Sequence, residues 1–358
     1  MATPNVDKTN KKNGMKNNNK PIIAITMGDP CGIGPEIISK SLNELIHEYN
    51  FQPLILGNLE ALEFAQNIIK THLKYLKIDS ISRLKNINDE VIPVMDNSNL
   101  DFRQISPGKI YKEAGSASIE WIHHSGELAM EKSIQAIVSS PINKEACRLT
   151  GNKLIGHMEL FQNQTKSEKV STMLMTPGLR VVHLTTHKSL KEACELVTFK
   201  NVYNSIELID YEFKKLGFKH PKIGVSALNP HGSDGGLIGS EEKEQILPAV
   251  EKAQSEGINV FGPIPADTVF NQAIDGYYDV VLAQYHDQGH IPIKVHNWEQ
   301  SVSLNLGLPF IRASVDHGTA FDISGKGIAD HTSLKESIKL AIHVAQNKSL
   351  PKFNQQEK

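Results

Sequence analysis

Cysteine is scarce in this sequence, and its arrangement argues against two classes of protein. The 358 residues contain three cysteines, Cys31, Cys147 and Cys194, and no pair of them has C-x-x-C spacing. An odd number without paired spacing favours neither a disulfide framework nor a thiolate zinc site. Such sparse use of cysteine is typical of a reducing compartment, so we expect a cytoplasmic protein.

Long apolar runs and a surplus of basic charge are lacking as well. No stretch approaches the roughly 18 consecutive apolar residues that a membrane-spanning helix requires. The formal net charge is -2, whereas proteins that bind nucleic acid or acidic membranes usually carry a basic face. We therefore expect a small-molecule partner and neither nucleic acid nor membrane.

The beginning of the chain differs in composition from the rest. Residues 1–20 are rich in asparagine and lysine and contain no apolar segment. A secretory signal peptide needs such a segment, so we predict a disordered leader instead. The remaining chain is long for one compact core, and two lobes of roughly 150 residues with a cleft between them are expected.

Short apolar runs alternate with helical patterns along the chain, and this alternation predicts an α/β protein with a largely parallel sheet. A segment rich in serine, asparagine, proline and glycine, residues 79–109, predicts a long surface connection. Strand candidates lie at residues 21–26, 53–57, 136–140, 171–176, 180–187, 222–228, 279–285 and 301–307, and helical periodicity covers 59–76, 114–132, 199–216, 241–256 and 333–346.

Histidines follow several of these strand candidates directly. His187, His231 and His286 each stand at or just past the end of an apolar run, where open α/β sheets place their ligand sites. Three neutral imidazoles leave an open coordination position, which a catalytic divalent metal needs. A lone histidine is more often structural, and four other histidines compete for the same places: His183, His290, His296 and His317.

Two basic residues follow apolar runs and suit a substrate pocket. Lys294 comes eight residues after His286, and a lysine that is partly desolvated beside a metal can act as a base. Arg312 needs a partner if it is buried, and either a ligand phosphate or an internal carboxylate satisfies that need. The Gly-rich turn at residues 26–37 does not match the G-x-G-x-x-G dinucleotide fingerprint.

The motif SVDHGTAFDISGKGIAD at residues 314–330 is similar to the cofactor loop of the isocitrate and isopropylmalate dehydrogenase-like fold. Together with LTTH, LNPHGSDGG, GPIPADT, YHDQGHIPIK and GLPFIRASVDHGTA, it makes the chain resemble the 4-hydroxythreonine-4-phosphate dehydrogenase family. The resemblance implies a homodimer with the active site shared across the interface. It also implies a two-lobed α/β fold with mostly parallel sheets and a central cleft: a first lobe at residues 21–145 and 318–358, and a second at 146–317 with the metal ligands and dimer interface.

The resemblance also implies a role for individual residues. The sequence departs from the family twice, because Met158 stands where threonine is common and Ser303 where asparagine is common; Met158 offers no hydrogen-bond donor. The implied metal ligands are His187, His231 and His286; the substrate contacts are His157, Met158, Lys294, Ser303 and Arg312; the cofactor contacts are His317, Gly318, Thr319, Ala320 and Asp322; and the proton acceptor is Lys294 or Asp267.

The reaction implied by the resemblance is an oxidation by NAD or NADP, assisted by one divalent metal such as zinc, magnesium or cobalt. It converts 4-phosphooxy-L-threonine to 2-amino-3-oxo-4-phosphooxybutanoate, which decarboxylates to 3-amino-2-oxopropyl phosphate in pyridoxal phosphate biosynthesis. An alternative is a paralogue acting on phosphorylated four-carbon sugar acids such as 4-phosphoerythronate or phosphothreonate, which the two departures leave open. A metal-dependent hydrolase and a non-catalytic phosphate- or nucleotide-binding module are further alternatives, against which the loop at 317–330 argues.

Overall fold

One mostly parallel sheet runs through the part of the chain that the structure describes. The computed structural model describes residues 20–351, and the predicted leader falls outside them except for Lys20. The strands are β1 (Ile22–Thr26), β2 (Gln52–Leu56), β3 (Lys74–Ile78), β4 (Val91–Met95), β5 (Ala136–Ser139), β6 (Ser171–Thr176), β7 (Leu179–His183), β8 (Ile223–Ser226), β9 (Val260–Ile264), β10 (Val280–Ala283), β11 (Val302–Leu306) and β12 (Ile311–Val315).

The strand order is β3-β4-β2-β1-β5-β12-β11-β6-β7-β10-β8-β9. Three neighbouring pairs at the centre are antiparallel, β12 with β11, β11 with β6, and β6 with β7. The pairs on either side of this centre are parallel. The predicted α/β class with a mostly parallel sheet is therefore confirmed.

Helices connect the parallel strands, as expected for crossover connections. None of the helices in residues 20–351 is long and apolar enough to cross a membrane. The α-helices are α1 (Gly34–Leu45), α2 (Leu59–Ile69), α3 (Lys112–Met130), α4 (Lys144–Leu149), α5 (His157–Thr165), α6 (Leu190–Glu195), α7 (Phe199–Lys215), α8 (Leu247–Ser255), α9 (Ala266–Ile274), α10 (His286–Asn297) and α11 (Thr332–Asn347), and shorter helical turns cover Ile81–Asn86, Phe102–Gln104, Pro230–Gly236 and Glu242–Ile246.

The apolar core divides between the two ends of the sheet. One cluster joins buried residues from Ile23 to Phe161 with residues of the last helix, such as Ile338. A second cluster joins Met173 and Val182 on the central strands with α7, α8, β8, β10, β11 and the end of α11. A smaller third cluster packs α9 against β7 and β10. The sheet itself is continuous, and the lobe boundaries given above stay a prediction.

Two expectations about local structure were wrong. The segment at 79–109 is not one long connection, because it contains strand β4. The helical pattern at 59–76 ends at Ile69, where Lys70 adopts a left-handed conformation with φ 57° and the chain turns into β3. β3 is an edge strand with mostly exposed residues, so it lacks the apolar run that marks a buried strand.

The parallel strands β7, β10, β8 and β9 are consecutive neighbours in the sheet. Their carboxyl ends consequently lie along one edge. His187, His286, His231 and Asp267 follow these four strands in that spatial order. The topology thus places all four on the same edge of the sheet, as the sequence predicted for the three histidines, although at different distances from the central strands.

Candidate active site

A cavity of ≈ 530 Å³ lies over the antiparallel centre of the sheet. Its floor is formed by Arg312 and Ser314 of β12, Ser303 of β11, and Thr172 and Leu174 of β6. These are alternate residues of their strands, and alternate residues face the same side of a sheet. The walls come from the starts of α4 and α5, the loop after β7, the first turns of α10 and residues 315–318.

Arg312 places an uncompensated positive charge in this floor. Its side chain is 5% exposed, its Nε donates to Ser139 Oγ at 3.2 Å, and its Nη1 donates to Asn305 Oδ1 at 2.8 Å. Within residues 20–351 no carboxylate forms an ion pair with it, and burial lowers the pKa of its guanidinium to about 9. Of the two partners considered for Arg312, the structure thus favours a ligand anion over an internal carboxylate.

His157 stands beside this charge at the first position of α5. Its Nε2 is buried and has no hydrogen-bond partner within residues 20–351. Burial, followed by the charges of Arg312 and Lys144, holds the pKa of His157 well below its usual range. A neutral imidazole with a free ring nitrogen in a cavity wall can donate to, or accept from, a polar ligand.

Helix α10 carries His286, His290 and Lys294 at intervals of four residues, which places them on one face of the helix. The rings of His286 and His290 are stacked, with centroids 3.6 Å apart. Nδ1 of His290 lies 3.1 Å from Nε2 of His183, the last residue of β7. The His187 ring lies 6.0 Å from that of His286, so four imidazoles meet at this end of the cavity.

Burial favours the neutral form of His183, His187 and His290, which is the form that binds metals. Burial lowers the pKa of His183 to about 3, with further contributions from His290 and His286. Burial also lowers the pKa of His290 and, with a contribution from Lys144, that of His187. The cavity consequently has one cationic end and one end lined by neutral imidazoles.

The implied metal ligands fall into two groups in the structure. His187 and His286 line the cavity together, and Asp287 Oδ1 holds Nδ1 of His286 at 2.6 Å, an arrangement that fixes the imidazole and leaves Nε2 for a metal. His231 is exposed and does not line the cavity. Within residues 20–351 of one chain, no three His, Cys, Asp or Glu side chains are arranged to hold a metal together.

The segment that carries His231 has an unusual backbone. Residues 231–235 all have positive φ, between 45° and 71°, and three of them, His231, Ser233 and Asp234, are not glycine. A left-handed conformation costs a non-glycine residue roughly 1–2 kcal/mol. Strain of this kind is concentrated at functional sites in proteins.

The two candidate proton acceptors are also separated. Lys294 Nζ lies 2.5 Å from Asp316 Oδ2 and 3.1 Å from the Asp316 carbonyl oxygen, and Asp316 lines the cavity. Asp267 lies exposed in the first turn of α9, outside the cavity. Lys294 is therefore linked to the cavity through Asp316, whereas Asp267 is not linked to it within one chain.

The two departures from the family pattern both lie in the cavity. Ser303 Oγ is 2.7 Å from Ser314 Oγ, so it belongs to a pair of hydroxyl groups on the floor. Met158 lies in the wall, where its Sδ accepts a hydrogen bond from Thr172 Oγ1 at 3.3 Å. A hydroxyl group thus stands directly beside the position where the sequence lacks one.

The implied cofactor loop packs on the Gly-rich turn that precedes α1. His317 and Gly318 line the cavity, and the Thr319 carbonyl oxygen accepts from the Ile33 backbone N–H at 3.0 Å. Ala320 has a positive φ of 43°, and Asp322 is exposed. A Cβ on Gly32 would lie only 3.0 Å from Thr319, so the absence of a side chain at Gly32 permits this close packing.

Sequence reasoning assigned no role to several residues of the cavity. His183 and His290 were considered only as rivals for the metal, and Thr172 and Asp316 were not considered. For His290 a signal exists, because His286, His290 and Lys294 recur every fourth residue and therefore share a helix face. For Thr172 the sequence offers no signal beyond its place in a strand.

Comparisons with known proteins agree over nearly the whole chain. A family model described as pyridoxal phosphate biosynthetic protein PdxA matches residues 49–341. A curated relative from Oceanobacillus iheyensis is 44% identical over 331 residues, covering 92% of this chain and 99% of the relative. Another from Halalkalibacterium halodurans is 42% identical over 330 residues, covering 92% and 98%. Both are provisionally named D-threonate 4-phosphate dehydrogenase.

Solved structures with similar folds carry a related name. The 4-hydroxythreonine-4-phosphate dehydrogenase of Klebsiella pneumoniae has a TM-score of 0.83 and 37% identity, covering 91% of this chain and 100% of that chain. The 4-hydroxythreonine-4-phosphate dehydrogenase of Burkholderia phymatum has a TM-score of 0.80 and 38% identity, covering 94% and 100%.

Proposed function

The chain belongs to the PdxA family of pyridoxal phosphate biosynthetic proteins, and on this premise we propose that it oxidises a secondary hydroxyl group of a phosphorylated four-carbon acid with NAD or NADP. The observation that carries the proposal is Arg312, a buried guanidinium in the cavity floor without an acidic partner in residues 20–351. A phosphate or carboxylate group of the substrate supplies the missing counter-charge. Lys144 and His157 border the same end of the cavity.

D-Threonate 4-phosphate is the first candidate substrate. The curated relatives with this name are 42% and 44% identical to the chain, whereas the two 4-hydroxythreonine-4-phosphate dehydrogenases of known structure are 37% and 38% identical. Met158 also stands where the resemblance to 4-hydroxythreonine-4-phosphate dehydrogenases implies a threonine. 4-Phosphooxy-L-threonine is the second candidate, favoured by the structural similarity; it differs in carrying an amino group at C2 instead of a hydroxyl group.

The imidazole end of the cavity fits a divalent metal. His187 and His286 would hold it, and the hydrogen bond from His286 to Asp287 orients the second of these rings. A bound divalent metal would lower the pKa of the substrate hydroxyl group and orient it. We propose that His231 completes the ligand set across a homodimer interface, because it lies outside the cavity of its own chain.

Exposed apolar side chains support this homodimer. Leu237, which directly follows the His231 segment, is 88% exposed, and Val295 and Trp298 at the end of α10 are 82% and 66% exposed. Large apolar side chains at the surface are typical of interaction sites. A homodimer that covers them would bring the His231 segment of one subunit towards α10 of the other.

The loop at residues 317–322 would hold the nicotinamide cofactor, with His317 and Gly318 at the cavity and Thr319 and Ala320 against the Gly-rich turn. The cofactor would accept the hydride from the substrate carbon. Lys294, held by Asp316 at the cavity edge, is the better placed of the two candidate proton acceptors within one chain. Oxidation at C3 gives a β-keto acid, which loses carbon dioxide readily.

The test is the absorbance of reduced nicotinamide with each candidate substrate, NAD+ or NADP+, and added divalent metal. We expect turnover of D-threonate 4-phosphate, loss of turnover with a chelator, and loss in His231→Ala. His220→Ala, at an exposed position remote from the cavity, is the matched control and should retain activity. Turnover without nicotinamide would favour a hydrolase instead, and turnover of neither substrate would refute the proposal.

A further inference from the structure

Thr172 presents a hydroxyl group to the cavity floor and is part of a hydrogen-bonded row across three strands. Asn305 on β11 is the register partner of Thr172 on β6, and Asn305 Nδ2 donates to Thr172 Oγ1 at 3.1 Å. On its other side, Asn305 Oδ1 accepts from Arg312 Nη1 at 2.8 Å. Arg312, Asn305 and Thr172 therefore form one continuous row that ends at the cavity.

The direction of every hydrogen bond in this row is fixed by chemistry. A guanidinium can only donate, so Asn305 must turn its carbonyl oxygen towards Arg312 and its amide nitrogen towards Thr172. Thr172 Oγ1 is then occupied as an acceptor, and its own hydrogen remains to be donated. Arg312 thus orients the amide group of Asn305, and Asn305 in turn leaves the Thr172 hydroxyl group to act as a donor.

The acceptor of that hydrogen within the chain is a poor one. Thr172 Oγ1 donates to Met158 Sδ at 3.3 Å, and a thioether sulfur is only a weak acceptor. A charged oxygen is a much stronger acceptor than a thioether. Redirecting the hydroxyl hydrogen from Met158 to an anionic ligand therefore costs little and gains a charge-assisted hydrogen bond.

We propose that Thr172 binds the substrate directly by donating a hydrogen bond to one of its anionic oxygens, on the phosphate or the carboxylate, and so helps to determine specificity. The inference rests on the proposed function, since it concerns the substrate of that same cavity. Thr172 supplies a donor next to Met158, which cannot donate. Asn305 is a positioning residue that orients Thr172 without contacting the ligand.

Two substitutions separate binding by the hydroxyl group from a merely structural role. Thr172→Val removes the hydroxyl group while keeping a β-branched side chain, and Thr172→Ser keeps the hydroxyl group while removing the methyl group. Thr176→Val is the matched control, because it makes the same change on the same strand, at a residue that donates to the Asn297 carbonyl oxygen and does not line the cavity. A purely structural role for Thr172 would lower the melting temperature in Thr172→Val without a selective loss of ligand affinity.

The experiment is calorimetric titration of each variant with three probes: D-threonate 4-phosphate, inorganic phosphate, and unphosphorylated D-threonate. We expect Thr172→Val to bind D-threonate 4-phosphate about tenfold more weakly or worse, as for the loss of a hydrogen bond to a charged group. Thr172→Ser and Thr176→Val should remain near the wild-type affinity. A parallel weakening of inorganic phosphate binding would assign the contact to the phosphate, and of D-threonate binding to the carboxylate.

Unchanged affinity of Thr172→Val for all three probes would overturn the inference, as would an equal loss in Thr172→Ser. Steady-state kinetics give a second readout, because a contact made equally in ground state and transition state raises KM and leaves kcat unchanged. Turnover by the wild-type protein is measured separately. A wild-type protein without turnover would refute the proposed function, while the affinities would still decide the role of Thr172.

Discussion

Replacing Arg312 by methionine should separate the stability of the protein from its affinity for an anion. Burial lowers the pKa of Arg312 to about 9 from an ordinary value above 12. A displacement of roughly three units corresponds to about 4 kcal/mol of disfavoured charge at neutral pH. The hydrogen bonds to Ser139 and Asn305 offset about 1–1.5 kcal/mol each, so the ligand-free variant should be about 1–2 kcal/mol more stable.

The pH of the measurement matters for this comparison. The folded-state pKa of Arg312 lies below the unfolded-state value, so between the two values the unfolded chain binds more protons and stability rises with pH. Below pH 9 both states are protonated, and the full penalty of burying the charge is present. Melting temperatures at neutral pH should therefore be a few degrees higher for Arg312→Met than for the wild type.

Affinity for the ligand should change in the opposite direction. Loss of the only buried counter-charge described in the cavity floor should weaken binding of D-threonate 4-phosphate about 100-fold in calorimetric titration. Arg180→Met is the matched control, because Arg180 is also 5% exposed but donates to the backbone carbonyl groups of Asp279 and Pro351 away from the cavity. That control should bind the ligand normally. If Arg312→Met instead melts earlier with unchanged affinity, Arg312 is structural and the reasoning fails.

Three further predictions concern the imidazole end of the cavity. Asp287→Asn should weaken metal affinity by about 10-fold to 100-fold in chelator competition, because Asp287 orients His286. Unchanged metal affinity would remove His286 from the ligand set. Mixing inactive His187→Ala and His231→Ala subunits should restore about a quarter of wild-type activity if each site takes these two ligands from different subunits. Half of the dimers then contain one variant of each kind, and each of these holds one intact site. No restoration would place both ligands in one subunit. The pKa of His183 is about 3 when folded and near 6.5 when unfolded. Between these values the unfolded chain binds more protons, so the stability of the protein should fall as pH falls. Metal-free His183→Gln should show a shallower fall in urea titrations, and an equal slope would contradict the burial argument.

The sequence predicted the fold class because buried parallel strands appear as short apolar runs, and most of these runs became strands. It missed β4 and β12. It also missed two strands that lack the expected pattern: β3, which is exposed at the sheet edge, and β9, whose residues VFGPI include glycine and proline. Neither of these strands shows the apolar or alternating pattern that marks a strand in sequence. A continuous pattern at 59–76 hid the change from helix α2 to strand β3.

For the site, the sequence predicted which strand ends carry functional groups but not which of them meet. His187 and His286 meet because β7 and β10 are neighbours, whereas His231 follows β8 on the far side of β10. Strand order follows from long-range pairing and cannot be read from spacing along the chain. The same limit applies to Arg312 and Thr172, which are 140 positions apart in the sequence and connected only through Asn305.

The central antiparallel strands explain how one cavity combines a cationic end with a neutral one. Along the row from β12 through β11 and β6 to β7, the side chains are Arg312, Asn305, Thr172 and His183, and the row spans three strand spacings, or about 14 Å. Permanent charge stands at one end, imidazoles kept neutral by burial at the other. A ligand that satisfies both ends must carry an anionic group and, a few atoms away, an oxygen suited to the imidazole end. A phosphorylated hydroxy acid meets that requirement, whereas inorganic phosphate alone satisfies only the Arg312 end, so its affinity should be insensitive to substitution of His187.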